Sequence, residues 1–91
     1  MIFEEAGEQT DAHYSGALAG LAEAAFRKED YARALSFYEK ACEEVQKHFG
    51  ENASYAILSE NCAAVCERMG DEERRQEYLT RAKRVREALG I

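Results

Sequence analysis

The stretch "EDYARALSFYEKACEEV", residues 29–45, decides how the chain is read. Tyr31, Ala34, Leu35, Tyr38, Ala41, Cys42 and Val45 recur at spacings of three and four, which puts them on one face of an α-helix. Two of these positions, Ala34 and Ala41, carry alanine where a helix facing a core usually presents leucine. Asp30 precedes the apolar run, where its carboxylate can accept from the free backbone N–H groups of the opening turn.

Three more segments show the same periodicity. One lies upstream and holds Leu18, Leu21, Ala22, Ala25 and Phe26. The quoted helix continues to Phe49. A third segment holds Tyr55, Leu58, Cys62, Val65, Cys66 and Met69, and a fourth holds Tyr78, Leu79, Ala82, Val85 and Leu89. No stretch alternates with period two over a useful length, so no strand is predicted. Gly50 and Gly70 are placed to end the second and third helices in the left-handed conformation. Asn52 or Ser54 suits the N-cap of the third helix, and Asp71 that of the fourth. Glu72 and Glu73 then sit favourably at the positive end of the fourth. Connections of two to four residues make each helix antiparallel to the next.

The two halves align without a gap at a shift of 41 residues: "LAGLAEAAFRKEDYARALSFYEKACEEV" on "SENCAAVCERMGDEERRQEYLTRAKRVR". Leu21 matches Cys62, Ala22 matches Ala63, Asp30 matches Asp71, Phe37 matches Tyr78 and Ala41 matches Ala82. Upstream, Ala12 matches Ala53 and Tyr14 matches Tyr55. Self-similarity at this period marks a helical hairpin repeated along a solenoid. The alanines now have a role: Ala22, Ala34 and Ala41 let two helix axes approach closely, while Leu21, Tyr31, Leu35 and Tyr38 fill the space around them. The predicted fold is all-α, with four main helices in two tandem helix-turn-helix hairpins at residues 11–50 and 51–91. Residues 1–10 are either a disordered leader or the end of a preceding repeat, because "MIFEEAG" echoes "QKHFG".

Bulk composition agrees with this class. Ninety-one residues suit one small domain, and the chain has no proline, is 46% hydrophobic and 33% charged, and carries a net charge of −6. Such a balance is neither disordered nor membrane-embedded. The acidic total argues against general affinity for nucleic acid or anionic membrane. No apolar run approaches the ~20 residues that span a bilayer, and no signal-peptide pattern opens the chain, so a soluble, cytoplasmic protein is expected. Arg74, Arg75, Arg81, Lys83, Arg84 and Arg86 gather near the end, where a solvated helix face is the expected arrangement. Cys42, Cys62 and Cys66 make no disulfide framework. The i, i+4 pair Cys62 and Cys66 could chelate metal with His13 or His48, but each cysteine falls on an apolar stripe, where it serves as a small core hydrophobe. No metal or cofactor is expected.

The residues resemble the tetratricopeptide repeat. Leu18, Leu21-Ala22, Asp30-Tyr31, Ala34, Tyr38 and Ala41 fall at that family's small and large positions. The long-helix variety found in kinesin light chains is the nearest in pattern. Its connecting stretch is similar to "GENASYAILSENCA" (50–63), with Asn52-Ala53 here in place of a His-Pro pair. The second repeat departs from the pattern where Arg75 occupies the place of Ala34, either loosening the turn or running its stem past the contact to reach water.

The resemblance implies a short right-handed α-solenoid whose concave groove binds a peptide or protein. Matched residue by residue, the groove-facing positions are Gly16, Ala19, Gly20, Glu23 and Arg27, then Ile57, Glu60, Asn61, Ala64 and Arg68. Asn61 matches a recurrent asparagine whose amide could pair with both N–H and C=O of a passing backbone, or could instead face solvent or cap its own helix. Gly16 and Gly20 each cost ~0.8–1 kcal/mol inside a helix, so they mark either a smooth trough or a close packing contact. The carboxylate clamp of the cochaperone subfamily is excluded, because Ala19 and Glu23 stand at its Lys and Asn positions. The mixed row Glu23, Arg27, Glu60 and Arg68 suggests a polar ligand of both signs, or a ladder of ion pairs across two helices. No phosphate loop, nucleophile constellation or paired-carboxylate signature is present, so a non-catalytic binding module is expected. The alternative is a structural self-assembly module, a homodimer or a segment of a longer array. Such a module would stack through exposed Tyr78, Leu79, Leu89 and Ile91 at one end and Leu18 or Tyr14 at the other, with no polar capping helix following.

Overall fold

A computed structural model of the chain describes residues 12–91. The expectations for residues 1–10, for Asp11 and for the His13 side chain lie outside the described residues. Four helices follow one another: α1 (Ala12–Arg27), α2 (Tyr31–Phe49), α3 (Ala53–Met69) and α4 (Glu72–Leu89), with no strand among the described residues. None of these helices is long and apolar enough to cross a membrane.

Local chemistry sets the boundaries. The carboxylates of Asp30 and Asp71 accept from the backbone N–H groups of Arg33 and Arg74, at 3.4 and 3.1 Å, and open α2 and α4. Between the two candidate caps for α3, the chain uses Asn52, whose side-chain oxygen accepts from Tyr55 N–H at 2.9 Å. Gly70 ends α3 in the left-handed region (φ 77°, ψ 18°), as expected. Gly50 does not match its expectation. Its φ of 80° comes with ψ −168°, an extended conformation open essentially to glycine alone. The sequence also concealed a strained position: Glu29, the register partner of Gly70, takes φ 62° without being glycine.

Packing is sequential. α1 lies on α2, α2 on α3 and α3 on α4, and no other pair packs to a comparable extent. Polar links join alternate helices. The Arg68 guanidinium sits 5.3 Å from the centroid of the Phe26 ring and donates to the Tyr31 hydroxyl. Across the other side, Glu39 of α2 accepts from both Arg74 and the Tyr78 hydroxyl of α4. Burial and that hydrogen bond push the Tyr78 phenol well above its ordinary range.

The core is built from small residues as the alanine pattern requires. Ala22, Ala34 and Ala41 are completely buried, and Ala63 and Ala82 nearly so in the second half. Leu35, Tyr38 and Val45 fill the space around the first set. Cys42, Cys62 and Cys66 are buried free thiols, in keeping with their apolar stripes. The neighbouring Cys42 thiol across the α2–α3 seam, together with burial, raises the Cys62 thiol. Arg75 is about a third exposed and turns its guanidinium onto Glu72 of its own helix at 2.8 Å.

Several expectations fail. Leu21 does not fill space beside the alanines; it is 52% exposed. Phe49 and Met69, read as stripe residues, are also exposed. At the presumed sticky ends, Leu18 and Tyr78 are buried, whereas Leu89 and Ile91 are exposed as expected. A polar end does exist, and α4 itself supplies it. Shifting the α2 residues Leu35, Cys42 and Val45 by 41 gives Gln76, Lys83 and Arg86 on α4. Gln76 and Lys83 are exposed and Arg86 is half-buried. The terminal basic residues are largely paired rather than forming a free basic surface. Arg74 reaches Asp71 and Glu39, Lys83 reaches Glu87, and Arg86 reaches Glu60.

Candidate partner-binding groove

Three helices converge on one open groove. The N-terminal half of α1 supplies Ser15, Gly16 and Ala19, the end of α2 supplies Val45 and Phe49, and the start of α3 supplies Ile57, Leu58 and Asn61, with Asn52 and Ser54 at the rim. Its volume is about 390 Å³, within the range of ligand-binding clefts. Val45 and Leu58 are buried and form the floor. Phe49 and Ile57 stand half in solvent, 50% and 49% exposed, and form the walls. Among the described residues, none of the lining side chains is ionisable.

The local sequence explains this shape. Gly50 ends α2 in a conformation from which the chain enters α3 after residues 50–52, and Phe49 lines the groove with Ser54 and Ile57 of α3. Asn52 uses its side chain to cap α3 and therefore belongs to the rim as a fixed group. Asn61 has no hydrogen bond among the described residues, so its amide keeps both a donor and an acceptor for a ligand. A Cβ built on Gly16 or Gly20 meets nothing within 4 Å among the described residues. Neither glycine is therefore required by packing between the described helices.

Of the ten predicted groove residues, Gly16, Ala19, Ile57 and Asn61 line this cleft together. Gly20, Glu23, Arg27, Glu60, Ala64 and Arg68 do not. The charged row is otherwise engaged. Glu23 and Arg27 pair within α1 at 3.4 Å, Glu60 takes the guanidinium of Arg86 on α4 at 2.8 and 2.9 Å, and Arg68 stacks on Phe26. The expected ladder between the rows of α1 and α3 is absent among these four residues. Hydrogen bonding to Arg86 holds the Glu60 carboxyl below its usual range. Sequence reading missed Phe49, given as the end of the second helix, and Val45 and Leu58, given to apolar stripes. Only Phe49 carried a signal, as a bulky aromatic placed directly before a helix-ending glycine.

Comparison of the chain with protein-family models, with curated proteins and with solved structures gave no match.

Proposed function

We propose that the chain is a non-catalytic binding module of tetratricopeptide-repeat type, close to the long-helix kinesin-light-chain variety. In this reading it captures a peptide segment of a partner protein in the groove between α1 and α3. Three observations support the solenoid reading: the gapless 41-residue register, the sequential helix packing and the buried alanines at equivalent positions. The observation that carries the function is the cleft itself, about 390 Å³, apolar in floor and walls and without a charged lining residue among the described residues. That chemistry favours a bulky aliphatic or aromatic anchor over the mixed-charge ligand first expected, with Asn61 pairing to the ligand backbone. Gly16 and Ala19 then allow that backbone to pass close to α1. Free thiols at all three cysteines suit a reducing compartment such as the cytoplasm.

Selection from a displayed peptide library tests the assignment. Peptides enriched on the wild-type chain are expected to share a large apolar residue and to lose binding to Ile57→Glu and Asn61→Ala, both with native circular dichroism. Equal binding to wild type and Ile57→Glu would remove the groove from consideration. A second reading, self-association through a terminal helix, is favoured by the exposure of Leu21.

A further inference from the structure

We infer that Cys42 and Cys62 are an oxidisable pair: hydrogen peroxide entering a polar cleft between α2 and α4 converts them to a disulfide that joins α2 to α3. The cleft shares no lining residue with the peptide groove, and the inference does not depend on the peptide-binding reading.

Access selects the first thiol. A cleft of about 290 Å³ is lined by Glu39 and Cys42 of α2, Tyr55 of α3, and Tyr78 and Arg81 of α4. Of the three cysteines, Cys42 alone lines it. Cys42 is 5% exposed, whereas Cys62 and Cys66 are completely buried. So narrow an opening admits a small neutral peroxide and holds back a bulky disulfide such as oxidised glutathione. The Glu39 and Glu43 carboxylates at the cleft repel that anion as well.

A second thiol stands ready behind the first. Cys62 on α3 neighbours Cys42 across the seam, and the Ser59 hydroxyl on the same helix lies beside Cys42 too. Ser59 is completely buried, and its hydroxyl has no hydrogen-bond partner among the described residues. Ionisation of the Cys42 sulfur gives this orphaned donor an acceptor. The Arg81 guanidinium, 5.1 Å from the centroid of the Tyr78 ring, brings positive charge to the same cleft. These neighbours divide the pair. The Cys62 thiol lowers Cys42 against the cost of burial, and Ser59 and Arg81 add to the effect. Cys62 is instead raised, by Cys42 and by burial. Cys42 is therefore the sulfur that attacks, and Cys62 stays protonated until it resolves the product. Small side chains at the contact, Cys42, Ser59 and Cys62, permit the short backbone separation that a disulfide needs.

The Cys42 thiolate attacks one oxygen of hydrogen peroxide and the O–O bond breaks. The departing hydroxide takes up the proton that Cys42 released and leaves as water, with Cys42 now a sulfenic acid. The Cys62 sulfur then attacks the Cys42 sulfur. The S–S bond forms, the S–O bond breaks, and the hydroxyl leaves with the Cys62 proton as a second water. Two thiols give up two electrons, and one peroxide is reduced to two waters.

The intact mass of the folded full chain in hydrogen peroxide, without added thiol, tests the inference. The expected result is a loss of two hydrogens, reversed by dithiothreitol, with Cys42 linked to Cys62 in a non-reducing peptide map. Cys66→Ser should react as wild type does. Cys62→Ser removes the resolving thiol and should accumulate a Cys42 sulfenic acid that dimedone labels. Wild type alone decides the matter if circular dichroism shows a serine variant unfolded. A folded chain that keeps three free thiols in peroxide, or a disulfide that forms only in urea, would overturn the inference. Linkage through Cys66, or a covalent dimer in place of the internal bond, would overturn it equally.

Discussion

The two hairpins keep one register but differ in how many neighbours their second helices have. α2 is packed by α1 on one side and α3 on the other, and its stripe reads Ala34, Leu35, Tyr38, Cys42 and Val45, all buried. α4 is packed by α3, and the same register positions read Arg75, Gln76, Leu79, Lys83 and Arg86, none of them buried. Only the inner stripe is retained, through Tyr78, Ala82 and Val85. At the positions of Leu35, Cys42 and Val45, residue type therefore follows the number of described helices that cover them.

That comparison breaks most visibly at matched pairs. Leu35→Ala removes a buried side chain from between helices and should cost about 2–5 kcal/mol by urea unfolding. Its counterpart Gln76→Ala should stay within about 0.5 kcal/mol. The turns sharpen the contrast at smaller scale. Gly50→Ala forces a side chain into a region that only glycine occupies freely and should cost about 1–3 kcal/mol. Glu29→Gly copies the Gly70 solution into the first hairpin. Relief of left-handed strain exceeds the added unfolded-state entropy, so a gain of about 0.5–1 kcal/mol in thermal unfolding is expected.

Gly16→Ala separates stability from function. It should stabilise α1 by about 0.5–1 kcal/mol, since nothing among the described residues occupies the space. The same methyl narrows the groove and should weaken any selected peptide. Higher stability with unchanged peptide affinity would contradict the trough.

The smallest effect is the pH dependence of the α3–α4 link. Because Arg86 holds the Glu60 carboxyl below its ordinary value, this contribution is complete above the unfolded-state value near ~4.3. It is lost as pH falls through the lower folded value. Wild type and Glu60→Gln should therefore differ in melting temperature at neutral pH and converge in strong acid. A difference that persists in acid would assign the link to packing instead.

Features fixed by neighbours in sequence were legible. Asp30 and Asp71 cap where their position before an apolar run demands, and Gly70 turns as a helix-ending glycine should. The buried alanines were legible too, because the 41-residue register ties each to a counterpart. Leu21 was not, since its angle on the helix says which way it points but not whether a helix stands there. The groove was half legible for a related reason. Gly16, Ala19, Ile57 and Asn61 follow from the faces of α1 and α3. Phe49 depends on the unusual backbone of Gly50, and the engagement of Glu60 and Arg68 elsewhere depends on partners far along the chain, whereas Glu23 and Arg27 pair with each other within α1.

Unfolding free energies of Ala34→Leu and Arg75→Leu, measured side by side, test the account most directly. Overpacking at the completely buried Ala34 should cost about 1–3 kcal/mol, while leucine at the half-open Arg75 should change stability by less than about 0.5 kcal/mol. Equal values at the two positions would contradict a first hairpin closed tightly on alanine and a second that is looser at Arg75.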